Sequence, residues 1–146
     1  MCDNIYITIK VGGIFLEKSS IVNYLKENKL TDIEEVEYKA GIYVLRFFYD
    51  FDQTEIKAGK AYAKDESGEE ENQIWYQEYF LPYLSDIAVD NIGELLQELA
   101  EGKDFEAQFV SYDLDLENYG YNEFIAIFYD KAMNIQIEDV LDELKI

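Results

Sequence analysis

From Asp65 to Ile146 the chain carries 22 acidic side chains and three basic ones, Lys103, Lys131 and Lys145. The part up to Lys64 is nearly balanced, with ten acids and nine bases. Almost all of the net charge of −20 therefore lies in the second part. These acids do not form a polar tail, because Phe, Tyr, Leu and Ile are interleaved with them at regular spacing. Each element must then bury one face and present carboxylates on the other. Apolar residues make up 49% of the chain and aromatic ones 16%, enough for a core and too many for a disordered chain. At 146 residues the expectation is one domain spanning 1–146.

The residue counts exclude several chemistries. Histidine is absent and there is one cysteine. Ser-His-Asp and Cys-His catalysis, His-ligated metals and Cys zinc sites are therefore closed to this chain. The negative field opposes direct binding to nucleic-acid phosphates. No P-loop, GxGxxG, GxSxG or HExxH motif occurs. With 32 acids, finding a pair at glycosidase spacing carries no information. The expectation is a protein that is not an enzyme and uses no cofactor and no metal.

Residues 1–20 lack the order of a signal peptide, since Lys10 follows the apolar Ile5–Ile9 stretch. No run reaches the roughly 18 apolar residues of a membrane helix. Cys2 has no partner for an internal disulfide. A cytoplasmic protein that does not contact membranes is expected.

Alternation and turn residues predict the element order. Ile5–Val11 reads as a strand, Gly12-Gly13 as a turn, and Ile14–Leu16 as a second short strand. Ser19 or Ser20 is placed to cap a helix that carries Ile21, Tyr24 and Leu25 and ends near Asn28. Glu34–Tyr38 alternates, and Ile42–Phe51 reads as the most buried strand. Gln53–Lys64 suits a helix that Gly59 weakens. Asp65–Glu71 reads as a polar, mobile loop. A helix from Asn72 should break or kink at Pro82. Asn91 and Glu94 suit the start of the next helix, with Ile92, Leu95, Leu96 and Leu99 on its inner face and Gly102 as its stop. Phe105–Leu116 and Tyr121–Tyr129 read as strands, and Ile137, Val140, Leu141 and Leu144 mark a final helix. Strands come in consecutive pairs. The fold class predicted is α+β: an antiparallel or mixed sheet of about five to six strands, with helices mainly on one face.

Two groups of acids stand out as candidate binding residues. On a strand, Asp113, Asp115 and Glu117 would share one face as a ladder at ~7 Å steps. Neighbouring charges at that spacing repel by ~0.6 kcal/mol in water, which a basic partner would relieve. The run also resembles the opening of a calcium loop. Position 118, however, is Asn where that loop needs Gly, and position 124 is Phe where it needs Glu. The second group is Glu94, Glu98 and Glu101, opposite the Leu stripe. Trp75 and Tyr79 are candidate apolar anchors, in a cluster whose other rings suit the core.

In size, acidity, aromatic content and single α+β domain, the chain resembles the small acidic immunity proteins of bacterial toxin–immunity systems. It is also similar in style to phage-encoded DNA-mimic inhibitors, including anti-CRISPR proteins. The resemblance assigns no role to any residue. It implies a binding protein whose acidic face covers the nucleic-acid-binding or active surface of a basic partner such as a nuclease toxin. A non-inhibitory adaptor, a carboxylate-rich pocket for a small ligand or cation, and charge that serves solubility alone are the competing readings.

Overall fold

The computed structural model describes residues 13–68 and 71–146. Helix α1 (Gly13–Glu27) is followed by β1 (Thr31–Val36), β2 (Ile42–Asp50) and α2 (Gln53–Ser67). A π-helical segment (Trp75–Phe80) leads directly into α3 (Leu81–Ala100). Then come β3 (Phe105–Ser111), β4 (Tyr121–Asp130) and α4 (Ile137–Leu144). The predicted strand Ile5–Val11 lies outside the described residues.

The sheet among the described residues has four strands in the order β1-β2-β4-β3, every pair antiparallel. The α+β expectation holds, and of the expected five to six strands four lie among the described residues. One missing strand is Ile14–Leu16, which is the first turn of α1 instead. Three apolar residues have no strand-specific period, and the helix that carries Ile21 and Leu25 extends back over them. Ser19 and Ser20 are accordingly inside α1 rather than at its cap.

The two inner strands are the most β-branched and aromatic segments, and the sheet buries both of their faces. Phe124 to Tyr129 of β4 are all buried, as are Tyr43, Val44, Leu45 and Phe47 of β2. On one face Phe47 stacks on Phe124 and Tyr43 meets Phe128. This face lies under α3, where Phe109 approaches Gly93, and under α1, where the Lys18 ammonium sits over the Tyr43 ring. On the other face Gln108 of β3 accepts from the Ile137 N–H at the start of α4 and donates to the Ile135 carbonyl.

Helix α2 begins with a capping box in which Asp52 and Glu55 each accept the other's backbone N–H. It runs through Ser67 and ends at Gly68 in the left-handed conformation, φ 67°. Asp65–Ser67, predicted as loop, are therefore its last turn. Gly59 lies inside the helix, and its missing side chain fits the helix to its neighbours. A Cβ there would stand 3.1 Å from the rings of Phe80 and Tyr83.

Asn72 opens the next helical run by accepting the Trp75 N–H at 2.8 Å. Pro82 was expected to break this run, and the break takes the form of a change of hydrogen-bond register. The Leu81 N–H reaches back five residues to the Tyr76 carbonyl, and α-helical bonding resumes beyond Pro82. Pro82 has no N–H to donate, and it falls where the π-helical register gives way to the α-helical one. Helix α3 then continues unbroken through Asn91, so Asn91 is no cap. Ile92, Leu96 and Leu99 are buried on its inner face as expected.

Candidate functional site

Helix α3 has 20 residues and is about 30 Å long. Glu94, Glu98 and Glu101 are all exposed along its outer side. No base among the described residues pairs with any of the three. The ladder of Asp113, Asp115 and Glu117 is not formed, because β3 ends at Ser111. Asp115 turns its carboxylate onto its own backbone instead and accepts the N–H groups of Glu117 (2.9 Å) and Asn118 (2.7 Å). Such side-chain turns compete with strand pairing. Asp113, Asp115 and Glu117 remain exposed, on a loop held from beneath by the buried Asn122. Its amide donates to the Tyr112 carbonyl at 3.0 Å.

The two acidic groups stand toward opposite ends of α3. Phe105 opens β3 beside Leu96 and Ala100 near the helix's C-terminal end. The strand runs back from there, and Tyr119, at the close of the acidic loop, packs on Phe80 just before the helix begins. Trp75 is 2% exposed and stacks on Phe80, which makes it a core residue and removes it as a surface anchor. Tyr79 is half-buried against the core.

Glu94 and Glu98 border a cleft of about 250 Å³ with Asn28, Tyr49, Asn91 and Leu95. Asn28 follows α1, and its amide donates to the Tyr24 carbonyl at 2.8 Å. The Asn91 amide donates to the Tyr49 hydroxyl at 2.7 Å. Each amide nitrogen thus spends one of its two N–H groups within the protein, and the oxygen of each side chain is left to accept. With Glu94 and Glu98 beside them, the cleft is rich in acceptors, and none of the described residues that line it is a cation. Its chemistry suits the guanidinium or ammonium of a basic side chain.

Four carboxylates across the molecule, Glu98 of the cleft among them, are oriented by tyrosines. Tyr24 donates to Glu98 at 3.1 Å and Tyr49 to Glu55 at 2.6 Å. Tyr76 donates to Glu71 at 3.1 Å, and Tyr38 to Glu143, which also holds Lys39. A hydroxyl orients a carboxylate without cancelling its charge, whereas a lysine would do both. Burial, then the bond to Glu55, pushes the Tyr49 hydroxyl up to about 12. Burial and the bond to Glu98 raise Tyr24 in the same sense. Glu143 is drawn below the usual carboxylate range, first by the Tyr38 hydroxyl and then by Lys39.

Spacing singles out Glu94 and Glu98, which border this cleft, but not Tyr24, Tyr49, Asn28 or Asn91. By spacing alone Tyr24 belongs to an apolar face and Asn91 to a cap. No spacing marks them as a group, because Asn28, Tyr49 and Asn91 come from separate parts of the chain. Among the described residues no three acids or cysteines converge in a way that would hold a metal ion. No helix among them is long and apolar enough to cross a membrane. Comparison with known proteins returns no family model, no curated protein and no solved structure with significant similarity to this chain.

Proposed function

We propose that this is a non-catalytic acidic binding protein that neutralises one basic partner, such as a nuclease toxin, by covering the surface that partner uses for nucleic acid. The observation that carries the reading is the acceptor-rich cleft bordered by Glu94 and Glu98, whose carboxylates have no countercharge among the described residues. A basic side chain of the partner enters this cleft. Glu101 extends the negative surface along α3. Asp113, Asp115 and Glu117 contribute a second acidic contact toward the other end of the helix. Opposite fields then raise the association rate to as much as ~10⁸–10⁹ M⁻¹s⁻¹ at low salt. An inhibitor needs that speed if it is to occupy the surface before nucleic acid does.

The test is the activity of the partner. Tagged full-length chain captures it from the native source, and the captured protein is assayed on nucleic acid with and without the chain. The expected result is loss of cleavage or binding on stoichiometric addition of chain. A Glu94→Lys/Glu98→Lys variant should fail to inhibit. Leu96→Asp places a charge in a core position that is 4% exposed and serves as the unfolded control. A partner that stays fully active while bound would replace inhibition with an adaptor role. Comparable inhibition of several unrelated DNA-binding proteins would assign the DNA-mimic type instead of the immunity type.

A further inference from the structure

Strand β3 is an edge strand. It pairs with β4 on one side, and among the described residues nothing pairs with it on the other. The Tyr112 N–H donates to the Glu123 carbonyl, and the Asp104 carbonyl accepts from the Lys131 N–H. Alternation along an antiparallel strand then directs the main-chain groups of Glu106, Gln108 and Val110 toward β4. Those of Phe105, Ala107, Phe109 and Ser111 face the open side.

Beside this open edge runs a groove of about 430 Å³ between β3 and α3. Phe105, Ala107 and Phe109 line it from the sheet, and Gly93, Leu96 and Ala100 from the helix. Gly93 gives the groove its depth, since a Cβ there would meet only the Phe109 ring, at 3.8 Å and beyond. An extended segment added to the edge would find unpaired N–H and C=O groups at every second residue. Its alternate side chains would enter an apolar slot.

Charge selects the occupant. A second copy of this chain would set −20 against −20. The ionic residues bordering the groove are Glu101 and Glu106 against Lys131. We propose that the β3–α3 groove receives an extended, positively charged segment of the partner as an added strand, with apolar side chains in the slot and basic ones against the acidic rim. This rests on the inhibitor reading above and adds the place where the partner's main chain docks.

The probe is an end-blocked heptapeptide of alternating Lys and Val, titrated into the full chain and followed by amide hydrogen exchange. The Phe105, Ala107 and Phe109 amides should slow by about tenfold or more, while those of Glu106, Gln108 and Val110 should not change. Ala107→Pro removes an N–H on the solvent side, where an edge strand tolerates proline, and should weaken binding about tenfold. Gly93→Leu fills the slot and should do the same with the edge intact. Three results would overturn the proposal: outward amides already protected in the free chain, which would mean that the chain itself covers the edge; peptide binding without protection at those amides; and equal binding of an alternating Glu and Val peptide. The two readings fail separately. If Glu94→Lys/Glu98→Lys abolishes inhibition while Ala107→Pro inhibits like wild type, the groove is wrong and the inhibitor reading stands. If the peptide docks as described but the captured partner stays active, the groove stands and inhibition is wrong.

Discussion

Tyr24 on α1 donates its hydroxyl to Glu98 on α3 at 3.1 Å, across 74 positions of sequence. The bond fixes one carboxylate of the candidate cleft and leaves its charge intact. Tyr24→Phe removes the hydroxyl and nothing else. For an exposed bond of this kind the expected loss of stability is about 0.5 kcal/mol, measured by urea denaturation. Partner affinity should fall more than stability does, because Glu98 then loses its orientation. Equal affinity for wild type and Tyr24→Phe would remove the orienting role from Tyr24.

Tyr49 predicts an alkaline limit. Its hydroxyl, pushed up to about 12 by burial and by Glu55, starts from an ordinary value of 10. Between these values the folded chain binds the proton more tightly than the unfolded chain does. The stabilisation is therefore complete below pH 10 and is lost as pH rises from 10 through about 12. Tyrosinate absorbance and circular dichroism followed together should show unfolding in this window. Tyr49→Phe should be less stable at neutral pH and should show a shallower alkaline loss.

Gly59 sits where α2 meets the π-helical segment and the start of α3. Replacing glycine by alanine within a helix gains about 1 kcal/mol in intrinsic propensity. Here the new Cβ would come within 3.1 Å of the rings of Phe80 and Tyr83. Overpacking of this kind costs ~1–3 kcal/mol, so Gly59→Ala should be net destabilising in denaturant titration. A more stable Gly59→Ala would show that these rings move aside freely.

Self-repulsion among the carboxylates predicts stabilisation by salt. The Debye length falls from ~30 Å at 0.01 M to ~10 Å at 0.1 M, so most cross-surface repulsion is screened over that range. A melting temperature higher by about 3–6 °C would correspond to ~1–2 kcal/mol at this size. Lys39 and Glu143 work in the opposite direction, since their exposed pair weakens with salt. This pair, with Lys18–Glu35, Arg46–Glu34 and Arg46–Glu123, is set against a net charge of −20, which leaves the sign unchanged. A melting temperature that falls with salt would contradict the unneutralised surface described above.

Elements with a strong period were readable without coordinates. The stripe of Ile92, Leu96 and Leu99, the strand at Ile42–Asp50 and the helix at Ile137–Leu144 all lie where spacing put them. The Asp113–Glu117 run has a strand's alternation but no strand. Asp115 competes for its own backbone, and the ladder with β4 stops after Tyr112. Trp75 was ambiguous because one sequence cannot say which of five nearby rings faces inward. The cleft was illegible because it joins Asn28, Tyr49 and Asn91 from three separate elements, and only the tertiary fold brings them together.

The central claim is that the acidic surface of α3 is built for one basic partner. Its most direct test is elution of proteins from the native source in a salt gradient from immobilised wild-type chain and from Glu94→Lys/Glu98→Lys, read by mass spectrometry. The account predicts a single basic nucleic-acid-processing protein that leaves wild type late and is not retained by the variant. Diffuse basic proteins leaving both columns together at low salt would contradict it, and the charge would then serve solubility alone.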